Sequence, residues 1–332
     1  MIRFATIGTN FIVRWFLEAA AMSNELLYAA SYSREEEKAK AFAAEYGAAR
    51  YCTDLQELAE SKDVDAVYIA SPNSLHFEQS ILMLSHGKHV MCEKTITSNS
   101  QELHKLIEAA DRNHVVLLEA MRSIFDPGFA VIQENLKRLG KIRRVSFQYC
   151  QYSSRYDKFK NGIIENAFDP SFSNGALMDI GVYCIHPLVK LFGLPQKIIS
   201  DAILLHNGVD GAGTILARYE EMQAELIYSK ISDSHIPSQI QGEEGTLVIE
   251  DIPNPRNVTF YGRNGECEVL VSHEPELNLI YEIQEWIEQI KGHQDWHEPM
   301  KASLMELQVM DEVRRQLSIN FPADEEEQWK KY

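Results

Sequence analysis

Through the first 120 residues, short apolar runs alternate with segments whose apolar positions repeat at helical spacing. Residues 2–8, 26–33, 64–70, 89–92 and 115–120 have strand length and composition. Strands separated by helices predict a parallel sheet with right-handed crossovers, and nearly unbroken apolar runs are those of strands buried on both faces. The spacing therefore predicts a doubly wound α/β half. After Asp126-Pro127 the pattern changes: a helix over 129–139 is followed by alternating runs at 142–149, 202–205, 213–219, 225–228 and 247–250. Few helices separate these runs, which predicts an α+β half with an open, mainly antiparallel sheet, covered or connected by helices over 175–192 and 276–291. The expected division is 1–120 and 121–332.

Composition agrees with two folded cores. A chain of 332 residues exceeds what one core usually serves, and 45% apolar with 24% charged residues is ordinary for a globular protein. The formal net charge of −17 repels phosphate backbones and anionic lipid, which argues against nucleic acid or membrane as partner. An anionic cofactor then needs a local positive site. Five cysteines (Cys52, Cys92, Cys150, Cys184, Cys267) form no CxxC pair, so neither a zinc ribbon nor a disulfide framework is expected. The start MIRFATIG lacks a signal segment, and no apolar run approaches the roughly 18 residues of a membrane span, so the expected location is cytoplasmic. The Glu-rich stretch 324–328 is expected to be a solvated end.

The first run ends in Ile7-Gly8-Thr9-Asn10-Phe11-Ile12-Val13 and enters a helical pattern, where a dinucleotide fold sets its pyrophosphate on a helix N-terminus. Only Gly8 of GxGxxG is kept, with Asn10 and Val13 at the other glycine positions. The second run ends in Ser31-Tyr32-Ser33-Arg34, without the carboxylate that binds a ribose 2′-hydroxyl. Ser33 and Arg34 are suited instead to a 2′-phosphate, so NADP(H) is favoured, with NAD(H) left open. At the sheet's carboxyl edge stand Ser71, Pro72, Asn73 and His76, and then Glu93-Lys94-Thr95.

With these motifs the chain resembles the glucose–fructose oxidoreductase, inositol dehydrogenase and rhizopine-catabolism (Gfo/Idh/MocA) family over nearly its whole length. SPNSLHFEQSILMLSHGKHVMCEK and NGALMDIGVYCIHPLVKLFG carry the resemblance. It implies an N-terminal Rossmann domain and a C-terminal domain for substrate and oligomerisation, with dimers or tetramers formed through the C-terminal sheet. It also implies that Lys94 is catalytic and that Glu93 orients its loop. Thr95 stands where the family has proline, which removes a fixed φ.

Asp179 and Tyr183 are four apart on an expected helix and share a face. Inositol dehydrogenases of the family carry histidine at the position of Tyr183, and the dihydrodiol and xylose dehydrogenase branch carries tyrosine. The resemblance makes Tyr183 the expected general acid/base, Lys94 the group that stabilises substrate oxygen, and Asp179 a third catalytic residue. His186, on the same face, is a second candidate proton carrier. Arg122, Arg155 and Tyr156 are expected on the substrate wall, as donors suited to a polyhydroxy or carboxylated ligand. The expected reaction moves hydride between a nicotinamide and a CH–OH or C=O carbon of a sugar, polyol or dihydrodiol, with no metal. Two other readings of the fold are a dinucleotide-binding sensor without turnover and an NAD-dependent glycosidase.

Overall fold

The computed structural model describes residues 1–272 and 277–325 and divides into two compact units. The first comprises Met1–Met121 together with Leu277–Lys301; the second begins at Arg122 and resumes at Ala302. The return of 277–301 to the first unit departs from the expected division at residue 120.

In the first unit six strands, β1 (Ile2–Ile7), β2 (Leu26–Tyr32), β3 (Arg50–Cys52), β4 (Ala66–Ile69), β5 (His89–Glu93) and β6 (Leu117–Ala120), form a sheet of order β3-β2-β1-β4-β5-β6. All of its pairings are parallel. Each crossover is helical, through α1 (Phe11–Ala20), α2 (Glu36–Tyr46), α3 (Leu55–Glu60), α4 (His76–Ser85) and α5 (Ser100–Asn113). β4 and β6 are buried along their whole length, which is why they read as apolar runs. The strand order reverses between β1 and β4, and open α/β sheets bind ligands outside the strand ends at such a reversal. Phe16 of α1 stacks on the wholly buried Tyr68 with ring centroids 3.7 Å apart.

The second unit opens with α6 (Arg122–Phe125) and α7 (Pro127–Asn135), where Asp126 caps α7 by accepting from the Gly128 amide at 2.9 Å. Its strands are β7 (Ile142–Cys150), β8 (Lys197–Leu204), β9 (Asp210–Arg218), β10 (Gln223–Ser229), β11 (Ser238–Gly242), β12 (Gly245–Ile249), β13 (Asn257–Gly262) and β14 (Cys267–Ser272). They form one sheet of order β14-β13-β12-β11-β7-β10-β9-β8, antiparallel except where β10 runs parallel to β7. Between β7 and β8 lie the short helix α8 (Ser154–Lys160), a π-helical turn over Leu177–Gly181 and α9 (Val182–Phe192). Pro170–Phe192 has the length and hydropathy of a membrane span, but 78% of its most apolar window is buried inside the fold, as in a core helix. One face of the sheet edge exposes Ile199, Ile203 and Leu216, with Ile199 paired to Leu216.

Two further helices follow, α10 (Leu279–Ile290) and α11 (His297–Leu317). α10 packs on α1 and buries Ile283, Trp286 and Ile287. Glu276, at the start of the expected helix 276–291, lies outside the described residues, as does the expected solvated end from residue 326 on. Asp324 is bound to the buried Arg314, with Nη1 to Oδ2 at 2.6 Å. All five cysteines are free thiols.

Candidate active site

The turn after β1 is shaped by Gly8, whose φ of +116° is open to glycine. A Cβ there would stand 2.9 Å from the Ala70 carbonyl oxygen, so the turn closes only without a side chain. Asn10, in place of the next glycine, has an ordinary φ of −82° and caps α1. Its Oδ1 accepts from the Val13 amide at 3.2 Å, and its Nδ2 donates to the Ala70 carbonyl at 2.8 Å. The Asn10 amide group is therefore held by the protein, and loss of the glycine pattern costs this turn nothing in conformation. Thr9 and Ile12 are half-buried; Phe11 is exposed, with its ring edge-on to Trp15. A helix N-terminus directly after β1, where the strand order reverses, is the arrangement a pyrophosphate needs. Beyond β2, Ser33 accepts from the Glu35 amide, Arg34 is exposed, and Glu35 pairs with Lys38 at 2.6 Å. These residues fit a nicotinamide dinucleotide.

The loops after β4 and β5 are tied to each other. Ser71 Oγ donates to Gln79 Oε1 at 2.7 Å; Pro72 precedes a 3-10 turn over Asn73–Leu75 that leads into α4. His76 is wholly buried, with Nδ1 3.0 Å from the Thr95 carbonyl and Nε2 2.9 Å from the Ser71 carbonyl. Burial pushes its pKa down. Both ring nitrogens face backbone carbonyls, and whichever carries the proton donates to its carbonyl, so that His76 sits as a tie between the two loops. Glu93 accepts a short hydrogen bond from the Tyr68 hydroxyl, whose pKa is pushed well up, first by burial and then by that carboxylate. Lys94 follows, half-buried, and the Lys94–Thr95 peptide is cis. The Ile96 amide donates to Glu119 at 2.9 Å, and Asn99 caps α5 by accepting from the Glu102 amide. The loop that presents Lys94 is thus fastened at Glu93, Thr95, Ile96 and Asn99.

In the second unit, Tyr183 is buried near the start of α9. The Arg122 guanidinium lies 5.5 Å above its ring, and Tyr149 meets it edge-on with centroids 5.6 Å apart. Asp179 sits in the π-helical turn, and its Oδ2 is 2.7 Å from Nζ of Lys230. Sequence patterns gave no hint of Lys230, of Tyr149 or of the π turn. Arg155 is exposed and pairs with Glu165 at 3.8 Å. Tyr156 joins the aromatic cluster of Phe159 and Phe168, and Phe168 in turn lies 4.7 Å below the Lys230 ammonium. His186 is wholly buried, with Nδ1 2.6 Å from Oε2 of the equally buried Glu306. It is an interior group paired to a carboxylate, so sharing a helical face with Asp179 does not bring it to the surface.

A glycine-gated turn at the switch point of a parallel sheet, followed by a fastened lysine loop, defines the dinucleotide half of a nicotinamide-dependent oxidoreductase. The family description "Oxidoreductase family, NAD-binding Rossmann fold" matches residues 2–121, and the "GFO/IDH/MocA C-terminal domain" matches 133–248. The chain is 47% identical to scyllo-inositol 2-dehydrogenase (NADP(+)) IolU of Bacillus subtilis (strain 168), covering 98% of this chain and 100% of that one. It is 26% identical to trans-1,2-dihydrobenzene-1,2-diol dehydrogenase of Xenopus tropicalis, over 87% of this chain and 89% of that one. In fold it is similar to KijD10, a 3-ketoreductase from Actinomadura kijaniata crystallised with NADP and TDP-benzene: TM-score 0.85, 23% identity, 95% of this chain and 97% of that one. The chain belongs to the Gfo/Idh/MocA family and is an NAD(P)-dependent oxidoreductase.

Proposed function

We propose that the enzyme interconverts a secondary alcohol and a ketone on a cyclic polyol or sugar, using NADP(H). The observation that carries this reading is the 47% identity, over 98% of the chain, to an NADP(+)-dependent scyllo-inositol dehydrogenase. The Ser33-Arg34 pair after β2, with no carboxylate at either position, supports the cofactor choice. In this reading the first unit holds the dinucleotide and the second unit the substrate.

The bound nicotinamide supplies the hydride chemistry. Gly8 and the start of α1 hold the pyrophosphate, while Ser33 and Arg34 hold the 2′-phosphate. Lys94 donates a hydrogen bond to the reacting oxygen and stabilises the negative charge that develops there. Tyr183 removes or returns the hydroxyl proton, its ring steadied by Arg122 and Tyr149. Asp179 accepts from a substrate hydroxyl or supports Tyr183, and Arg122 stands nearby as a donor for the substrate. The exposed apolar strip of Ile199, Ile203 and Leu216 supports a homodimer or homotetramer formed through the sheet, and the free thiols suit a cytoplasmic enzyme.

Titration with NADPH and NADH, followed by fluorescence transfer from tryptophan, tests the cofactor reading. NADPH is expected to bind more tightly, and Arg34→Ala to weaken NADPH roughly tenfold while leaving NADH unchanged, because a charge-assisted hydrogen bond at an exposed site is worth about 1.5 kcal/mol. Equal affinities, or an Arg34→Ala effect shared by both cofactors, would overturn it. Assays over inositols, sugars and diols then test the substrate class, and absence of turnover on every cyclic polyol and sugar would reject it.

A further inference from the structure

Lys230 follows β10 directly, and only 2% of its side chain is exposed. A lysine at such depth must have its charge matched and its donors filled. Its Nζ donates to the Ala167 carbonyl at 2.8 Å and contacts Asp179 Oδ2 at 2.7 Å, with the face of Phe168 beneath it. The Asp179 side chain is 33% exposed, so the carboxylate reaches from this interior pair toward solvent.

The turn that carries Asp179 has a second anchor. Asp210, at the start of β9, is buried and accepts from the Leu177 amide at 2.6 Å, at the head of the π-helical turn. Gly175 makes room for it, since a Cβ there would stand 2.0 Å from Asp210 Oδ1. Two charged side chains from the sheet thus hold one irregular turn, Asp210 at its first residue and Lys230 at its acidic one. An extra residue in a helical turn re-aims the side chains on it, and such turns recur at functional sites.

We propose that Lys230 is a positioning residue for the reaction, acting through Asp179: its ammonium fixes the rotamer of that carboxylate and so sets the turn that leads into Tyr183. This rests on the reading that Asp179 and Tyr183 serve the reaction.

A double-mutant cycle separates the two ideas. Lys230→Gln keeps a donor near the Ala167 carbonyl and removes the charge. It is expected to lower kcat roughly 10- to 100-fold, the size of effect that follows a misplacement of about 1 Å, with the KM for NADPH within about twofold of the parent. Asp179→Asn is expected to lose at least as much. The double variant is expected to be no worse than Asp179→Asn alone, because a residue that acts only through Asp179 has nothing left to position. Full activity of Asp179→Asn would reject the role of the carboxylate itself. An impaired Asp179→Asn beside an active Lys230→Gln, or losses that multiply in the double variant, would overturn the positioning role alone. Lys230→Met is made in parallel, with folding read from near-UV circular dichroism. If neither Lys230 variant folds, the lysine is a folding element and the proposal falls.

Discussion

Lys94→Ala is expected to lower kcat for polyol oxidation by about 10³-fold while the Kd for NADPH stays within about threefold. A preorganised donor aimed at a developing oxyanion is typically worth about 10² to 10³ in kcat, and in the proposed role Lys94 is such a donor carrying a full charge. The structure isolates the effect. Glu93 is held by Tyr68, the Thr95 carbonyl by His76 and the Ile96 amide by Glu119, so alanine at position 94 removes the ammonium and leaves the loop fastened on both sides. Lys94→Arg is expected to restore little, since a planar guanidinium does not place a donor where a compact ammonium did. Steady-state kinetics beside direct NADPH titration check this. A loss confined to cofactor affinity would make Lys94 a binding residue, and an unchanged kcat would remove it from the chemistry.

The second large effect concerns stability. Burial raises the Asp210 carboxyl from the ordinary aspartate value of 3.8 to about 6, although backbone amides and the Lys230 charge pull it down. A carboxyl whose folded pKa is raised contributes stability that is fully present below the unfolded pKa. That contribution is lost as pH rises through the folded value. The displacement from 3.8 to about 6 corresponds to about 3 kcal/mol, lost between roughly pH 4 and pH 6. Asp210→Asn cannot ionise and keeps an oxygen for the Leu177 amide. Its stability relative to the parent is therefore expected to rise by about 3 kcal/mol between pH 4 and pH 7, read from paired urea unfolding curves. Parallel pH profiles would show that Asp210 is already ionised in the folded protein at pH 4.

The parallel half was legible in the sequence because its strands are buried on both faces and read as apolar runs. β3 escaped because three residues, Arg50-Tyr51-Cys52, carry no periodicity. In the second sheet the antiparallel character was legible. The parallel pairing of β10 with β7 was not, because pairing direction depends on where strands meet. β8 was caught only at its end, since outward Ile199 and Ile203 blur the alternation. Lys94 and Gly8 could be read from motifs at strand ends. Lys230 and Asp210 could not, because each meets its partner from a distant part of the chain. Tyr183 pointed toward the dihydrodiol and xylose branch, yet a scyllo-inositol dehydrogenase shares 47% of the sequence against 26% for a dihydrodiol dehydrogenase. One side chain on a helix does not specify the substrate.

The return of residues 277–301 to the first unit bears on the order of events during synthesis. Domains generally fold as units, N-terminal first, as the chain emerges from the ribosome. Here the nucleotide-binding sheet is finished by residue 120, but the α1 surface that α10 covers with Ile283, Trp286 and Ile287 waits until most of the chain has been translated. The part of α1 that α10 covers is thus left open to chaperones and to premature association while the second unit is still being made.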